Sequence, residues 1–144
     1  MAVLYLGLGS NLGNRREWLE KAIDEIGKEV GPIVARASFY ETEAWGFQSE
    51  NRFVNACVAV DTPFSPEECL QRTQAIERRL GRTHKTVGRQ YADRCIDIDL
   101  LLFEGETRQT ESLVLPHPLM KERAFVMDPL REIAPELADR IEGR

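Results

Sequence analysis

Apolar positions along the chain switch between a period of two and a period near 3.6, and the switches mark out the elements. Val3 to Leu8 alternates and runs into Gly7-Leu8-Gly9-Ser10-Asn11-Leu12-Gly13, which predicts a strand entering a glycine-rich turn. Behind Asn14, an N-cap with Glu17 three residues on, Trp18, Leu19, Ala22, Ile23 and Ile26 recur at helical spacing until Gly31-Pro32 stops the pattern. Ile33 to Tyr40 and Phe53 to Val60 read as strands. Ser65-Pro66-Glu67-Glu68 joins an N-cap, a proline at the first helical position and a capping-box Glu, and Cys69, Leu70, Thr73, Ile76 and Leu80 carry an apolar face to Gly81. A strongly apolar run then ends at Phe103. After it come a short hairpin partner near Thr107, the sequence Leu115-Pro116-His117-Pro118 and a mostly helical C-terminal part. The order strand, helix, strand, strand, helix, strand is the βαββαβ arrangement of ferredoxin-like folds. The expectation is therefore an α+β sandwich with a mainly antiparallel sheet and helices packed on it, in one domain spanning 1–144.

Within the last apolar run, Arg94-Cys95-Ile96-Asp97-Ile98-Asp99-Leu100-Leu101 sets two carboxylates at i and i+2. Asp is disfavoured in strands, so two of them need a reason. Period two puts Asp97 and Asp99 on one face, Cα atoms about 6.5–7 Å apart, while Ile96 and Ile98 enter the opposite layer. One reading is an edge strand with a solvated face. The other is a site for hard cations, because Mg²⁺ favours a few carboxylates completed by water and phosphate oxygens.

The net charge of −5 argues against nonspecific nucleic-acid or anionic-membrane binding. Yet 78–94 carries Arg78, Arg79, Arg82, Lys85, Arg89 and Arg94 plus His84 against Asp93 alone, which suits a small polyanion. No apolar run approaches the roughly 18 residues of a membrane span, and Ala2 to Leu8 is too short for a signal core, so a cytoplasmic location is expected. Cys57, Cys69 and Cys95 show no paired spacing and read as buried hydrophobes.

The glycine-rich turn lacks the third glycine of a dinucleotide fingerprint and the Gly-Lys-Ser/Thr of a P-loop. Either Gly9 and Gly13 simply permit a tight turn held by Ser10 and Asn11, or Asn11 lines a pocket. Gln74 and Glu77 are helical neighbours at i, i+3, as a solvated surface or a ligand face. His117, between two prolines, is either a hydrogen-bonded loop residue or a phosphate contact.

Gly9-Ser10-Asn11-Leu12, Ser38-Phe39-Tyr40-Glu41-Thr42, Phe53-Val54-Asn55-Ala56, Gln74 with Glu77, Gly81-Arg82, the Arg94 to Leu101 strand, Pro116-His117, Arg123-Ala124-Phe125 and Ile133-Ala134-Pro135 occur in the order of one family. Over nearly its whole length the chain resembles the 6-hydroxymethyl-7,8-dihydropterin pyrophosphokinases of folate biosynthesis. The resemblance implies transfer of pyrophosphate from ATP, as co-substrate, to the pterin hydroxymethyl group with release of AMP. It also implies two Mg²⁺ ions on Asp97 and Asp99, which join Arg82 and Arg94 as catalytic residues. Gln74, Glu77, Arg82, His84, Arg94, Leu100, His117 and Arg123 fall at the nucleotide. Thr42, Glu43, Trp45, Phe53, Asn55, Tyr91, Asp97 and Phe125 fall at the pterin, with Phe125 stacking and Asn55 reading the ring edge. Ser112 and Val114 stand where some members carry Arg and Thr, so adenine and ribose contacts are expected to differ. Both partners are small molecules, a monomer is expected, and 46–52 and 82–92 are expected to order over bound nucleotide. A noncatalytic pterin or nucleotide sensor is the rival reading, and a nucleic-acid binder using the basic loop a lesser one.

Overall fold

The computed structural model describes residues 1–11, 13–42, 53–81 and 96–143, Thr42 by its backbone alone. The elements are β1 (Ala2–Ser10), α1 (Arg15–Glu29), β2 (Ile33–Arg36), β3 (Tyr40–Thr42), β4 (Phe53–Thr62), α2 (Pro66–Arg79), β5 (Asp97–Phe103), β6 (Arg108–Gln109), β7 (Val114–Leu115), a 3₁₀ turn at Met120–Glu122, α3 (Ala124–Ile133) and α4 (Pro135–Glu142). The main sheet runs β2-β4-β1-β5, with β3 also paired to β4 and every pairing antiparallel. This is the expected α+β architecture. Both expected helix caps form: Asn14 Oδ1 accepts the Glu17 N–H at 3.2 Å and Ser65 Oγ accepts the Glu68 N–H at 3.1 Å.

Strand alternation sorts the side chains into two cores. Leu4, Leu6 and Leu8 of β1, Val54, Val58 and Val60 of β4, and Ile98 and Leu100 of β5 pack with Leu19, Ile23 and Ile26 of α1 and Cys69 and Ile76 of α2. On the opposite face Cys57 and Leu101 meet Val126, Met127 and Leu130 of α3 and Ala138 of α4. Thus α1 and α2 cover one face, and the C-terminal helices cover part of the other.

Two expectations need correction. First, β1 continues to Ser10, so Gly7 and Gly9 lie inside a central strand and not in a turn. Gly9 pairs with Asn55 on one side and Asp97 on the other, and Gly7 with Cys57 and Asp99, so neighbours on both flanks hold the backbone extended whatever its propensity. Second, the strand expected over 33–40 is two strands. Ala37, Ser38 and Phe39 separate Arg36 from Tyr40 on this edge, while only Ala56 and Cys57 separate their partners Val58 and Asn55 on β4. The extra residue is a bulge.

Candidate active site

The candidate site lies on the sheet face shared by Asp97 and Asp99. Opposite Asp97 lies Gly9 of β1, and beyond Gly9 lies Asn55 of β4, so Asn55, Gly9 and Asp97 form one row across three strands. Both β1 residues facing the carboxylates lack side chains. A Cβ at Gly9 would sit 3.0 Å from Asn55 Oδ1 and 3.4 Å from Cδ1 of Phe53, and one at Gly7 would press on Leu101 at 3.3 Å. Glycine inside a strand leaves room for a neighbouring group to approach closely. At Gly9 the missing Cβ makes room for the Asn55 amide, which is 4% exposed, and for the Phe53 ring, in the row that ends at Asp97.

β5 carries a bulge of its own. Leu6 pairs with Leu100 and Tyr5 with Leu102, so Leu101 has no partner on β1; its carbonyl accepts the His117 N–H at 2.8 Å. The irregularity docks the Pro116-His117-Pro118 segment beside the aspartates, a common use of bulges at active sites. His117 Nδ1 accepts the Leu119 N–H at 3.3 Å, which leaves Nε2 as the protonated nitrogen of the neutral ring. Burial, then the nearby positive charge of Arg123, push the His117 pKa below its ordinary 6.5, while Asp97 pulls the other way. His117, Arg123 and Asp97 therefore sense one another. Arg123, buried at the start of α3, lies with its guanidinium 5.6 Å from the centre of the Phe125 ring.

The low pKa of His117 has a measurable consequence. Between the folded-state pKa and 6.5 the unfolded chain binds more protons than the folded one, so stability rises with pH across that window. Urea unfolding in EDTA is expected to show a protein less stable at pH 5.5 than at 7.5. His117→Gln should flatten that part of the profile, and an unchanged slope would assign it to other groups.

Glu77 reaches the site from the opposite layer. Only 4% exposed, it is not the solvated surface residue that its spacing from exposed Gln74 allows, and its Oε2 accepts the Ile98 N–H at 2.7 Å. Among the described residues β5 is the last strand of the sheet, and this N–H, between the two aspartates, is met by a carboxylate.

The structure thus brings together Asp97, Asp99, Phe53, Asn55, His117, Arg123 and Phe125, with Glu77 behind β5. The Thr42 backbone pairs with Phe53. Leu100 points into the α1–α2 core, leaving its backbone for any nucleotide contact. Arg82, Arg94, His84, Glu43, Trp45, Tyr91 and the loop expectations for 46–52 and 82–92 fall outside the described residues. Sequence reasoning overlooked Gly7 and Gly9 as site residues. The signal was available: Gly-x-Gly in the first strand matches the period of Asp-x-Asp in the last.

Comparison with known proteins identifies the family. The profile of the 7,8-dihydro-6-hydroxymethylpterin-pyrophosphokinase (HPPK) family matches residues 5–135. A 2-amino-4-hydroxy-6-hydroxymethyldihydropteridine pyrophosphokinase of Porphyromonas gingivalis is 49% identical over 138 residues, covering 95% of this chain and 94% of its own. Its namesake from Bacillus subtilis is 38% identical over 136 residues, covering 94% and 80%. Among solved structures, Plasmodium falciparum HPPK-DHPS superposes with a TM-score of 0.73 at 16% identity; the match covers 94% of this chain and 41% of that longer one, and it supports the fold alone. The chain belongs to the HPPK family, and it transfers the pyrophosphoryl group of ATP to the hydroxymethyl group of 6-hydroxymethyl-7,8-dihydropterin in folate biosynthesis.

Proposed function

We propose that Asp97 and Asp99 hold two Mg²⁺ ions against the ATP triphosphate, and that the pterin lies over Gly9 with its edge on Asn55 and its hydroxymethyl group toward the aspartates. The row Asn55, Gly9, Asp97 carries this reading, because it joins an amide suited to a heterocycle edge to a carboxylate suited to a cation across a residue with no side chain. The carboxylates fit the metal chemically. Among the described residues they belong to no larger cluster of His, Cys, Asp or Glu, and Mg²⁺ characteristically leaves part of its shell to water and phosphate. When bound, the ions neutralise the anionic oxygens around the phosphorus under attack.

The protein's own groups do the rest. Either aspartate is placed to take the hydroxymethyl proton. Arg123 and the Nε2–H of His117 bind phosphate oxygens, a role for which a charged fork and a neutral donor are both suited. Phe125 and Phe53 stack on the ring, and the Thr42 backbone lies beside Phe53. Arg82 and Arg94 clamp the phosphates, His84 and exposed Gln74 meet the nucleotide, and Glu43, Trp45 and Tyr91 complete the pterin wall, as the resemblance implies. A single-domain monomer is supported by described site residues that all come from one sheet and the segments packed on its two faces. Cytoplasmic residence is supported by the buried free thiols Cys57 and Cys69, and among the described residues no helix is long and apolar enough to cross a membrane.

Gly9→Ala tests the row. Its methyl group displaces the Asn55 amide or the Phe53 ring, so pterin affinity in the presence of Mg²⁺ and a nonhydrolysable ATP analogue should fall about tenfold, a contact misplaced by a fraction of an ångström. Calorimetry should show affinity for the analogue alone unchanged. Undiminished pterin affinity would remove the pterin from this row.

A further inference from the structure

Glu132, on the last turn of α3, accepts hydrogen bonds from Ser38 and Tyr40 across the bulge between β2 and β3. The Ser38 N–H donates to both its carboxylate oxygens, at 3.1 and 3.0 Å, the Ser38 hydroxyl to Oε2 at 3.0 Å and the Tyr40 hydroxyl to Oε1 at 2.7 Å. Ala37 still donates to the Cys57 carbonyl, and Tyr40 is again in register with Asn55, so Ser38 is where the ladder to β4 is interrupted. A bulge needs a partner for the backbone group it releases. Here that partner stands on the helix whose first turn carries Phe125.

We propose that Glu132 is a positioning residue for the pterin: by holding the Ser38 bulge against α3 it fixes the register of β3 on β4, and with it where the Thr42 backbone stands beside Phe53 and Asn55. β3 is three residues long and lies at the sheet edge, so its β4 ladder alone gives it little purchase. The α3 helix, by contrast, is seated on the sheet by Val126, Met127 and Leu130, and its packing does not depend on Glu132. Losing the carboxylate therefore loosens one wall of the slot while the fold remains. The bond to Glu132 pushes the Tyr40 phenol up to about 12 and holds the Glu132 carboxyl below the usual range, so the clamp is intact throughout neutral pH.

This inference rests on the assignment of Asn55 and the Thr42 backbone to the pterin, and the test separates the two. Steady-state constants for pterin and for Mg·ATP, with Tm, are measured for Glu132→Ala, Glu132→Gln, Tyr40→Phe and Asn55→Ala. Glu132→Ala should raise the pterin KM about tenfold with kcat and the ATP KM within about twofold of wild type, the pattern of a lost positioning contact. Glu132→Gln should recover part of the loss, since its amide oxygen still accepts the Ser38 N–H. Should Glu132→Ala not fold, Tyr40→Phe deletes only a hydroxyl and should raise the pterin KM about threefold by the same argument. Equal rises in both KM values, tracking a fall in Tm, would make Glu132 merely structural and overturn the proposal. A raised pterin KM in Asn55→Ala with none in the Glu132 and Tyr40 variants would overturn it alone, and a normal KM in Asn55→Ala would overturn the pterin assignment beneath it.

Discussion

Asp97→Ala and Asp99→Ala should each lower kcat by about three orders of magnitude or more, a loss of roughly 4 kcal/mol of transition-state stabilisation of the kind bound divalent cations supply. The fold should be untouched. Both side chains stand on the sheet face beside glycine, outside both apolar cores, so their removal opens no cavity. Two carboxylates on one strand face also repel each other without a cation, and losing either relieves that repulsion. Tm in EDTA is therefore expected to stay level or rise slightly. In wild type, Mg²⁺ should raise Tm by binding the folded state, and each variant should lose most of that rise. Initial rates of AMP formation across a Mg²⁺ titration, with thermal unfolding in Mg²⁺ and in EDTA, check every part. A kcat within tenfold of wild type for Asp99→Ala at saturating Mg²⁺ would sink the metal assignment.

How far the sequence carries depends on whether the partner of a feature lies nearby in the chain. Asn14 with Glu17 and Ser65 with Glu68 are three-residue devices, and both form as the residues predict. Asp97 and Asp99 stand out because period two inside an apolar run leaves two carboxylates with no core role. The failures involve distant partners. Gly7 and Gly9 resemble a turn until β4 and β5 pair on either side of them. The break at Ser38 depends on a glutamate near the other end of the chain, and no local pattern in 33–40 records it. Glu77 resembles a surface residue because helical periodicity assigns a face, not the strand edge that the face will cover. The Leu101 bulge is equally silent, since Leu100 and Leu101 are both apolar and only the split of the cores shows that they point apart.

Glu77→Ala is expected to damage stability and catalysis together, unlike the aspartate variants. Its carboxylate holds the Ile98 N–H at 2.7 Å where, among the described residues, no further strand satisfies that edge of β5. Ile98 is buried, so alanine leaves an N–H that neither protein nor bulk water readily meets. Hydrogen bonds to charged groups contribute about 1.5–3 kcal/mol, and relief of the carboxylate's own desolvation offsets some of that, for a net loss of about 2 kcal/mol. In a chain of this size that corresponds to a fall in Tm of about 4–8 °C. The same N–H belongs to the residue between the two aspartates proposed to hold Mg²⁺. Freeing it lets the edge strand shift against β1, and kcat should drop about tenfold as the carboxylates leave their productive geometry. Glu77→Gln separates the contributions: its amide oxygen still accepts from Ile98, so most of the Tm and most of kcat should return even though the charge is gone. If Glu77→Gln is instead as slow as Glu77→Ala while its Tm is restored, the carboxylate acts on the nucleotide directly and not through β5.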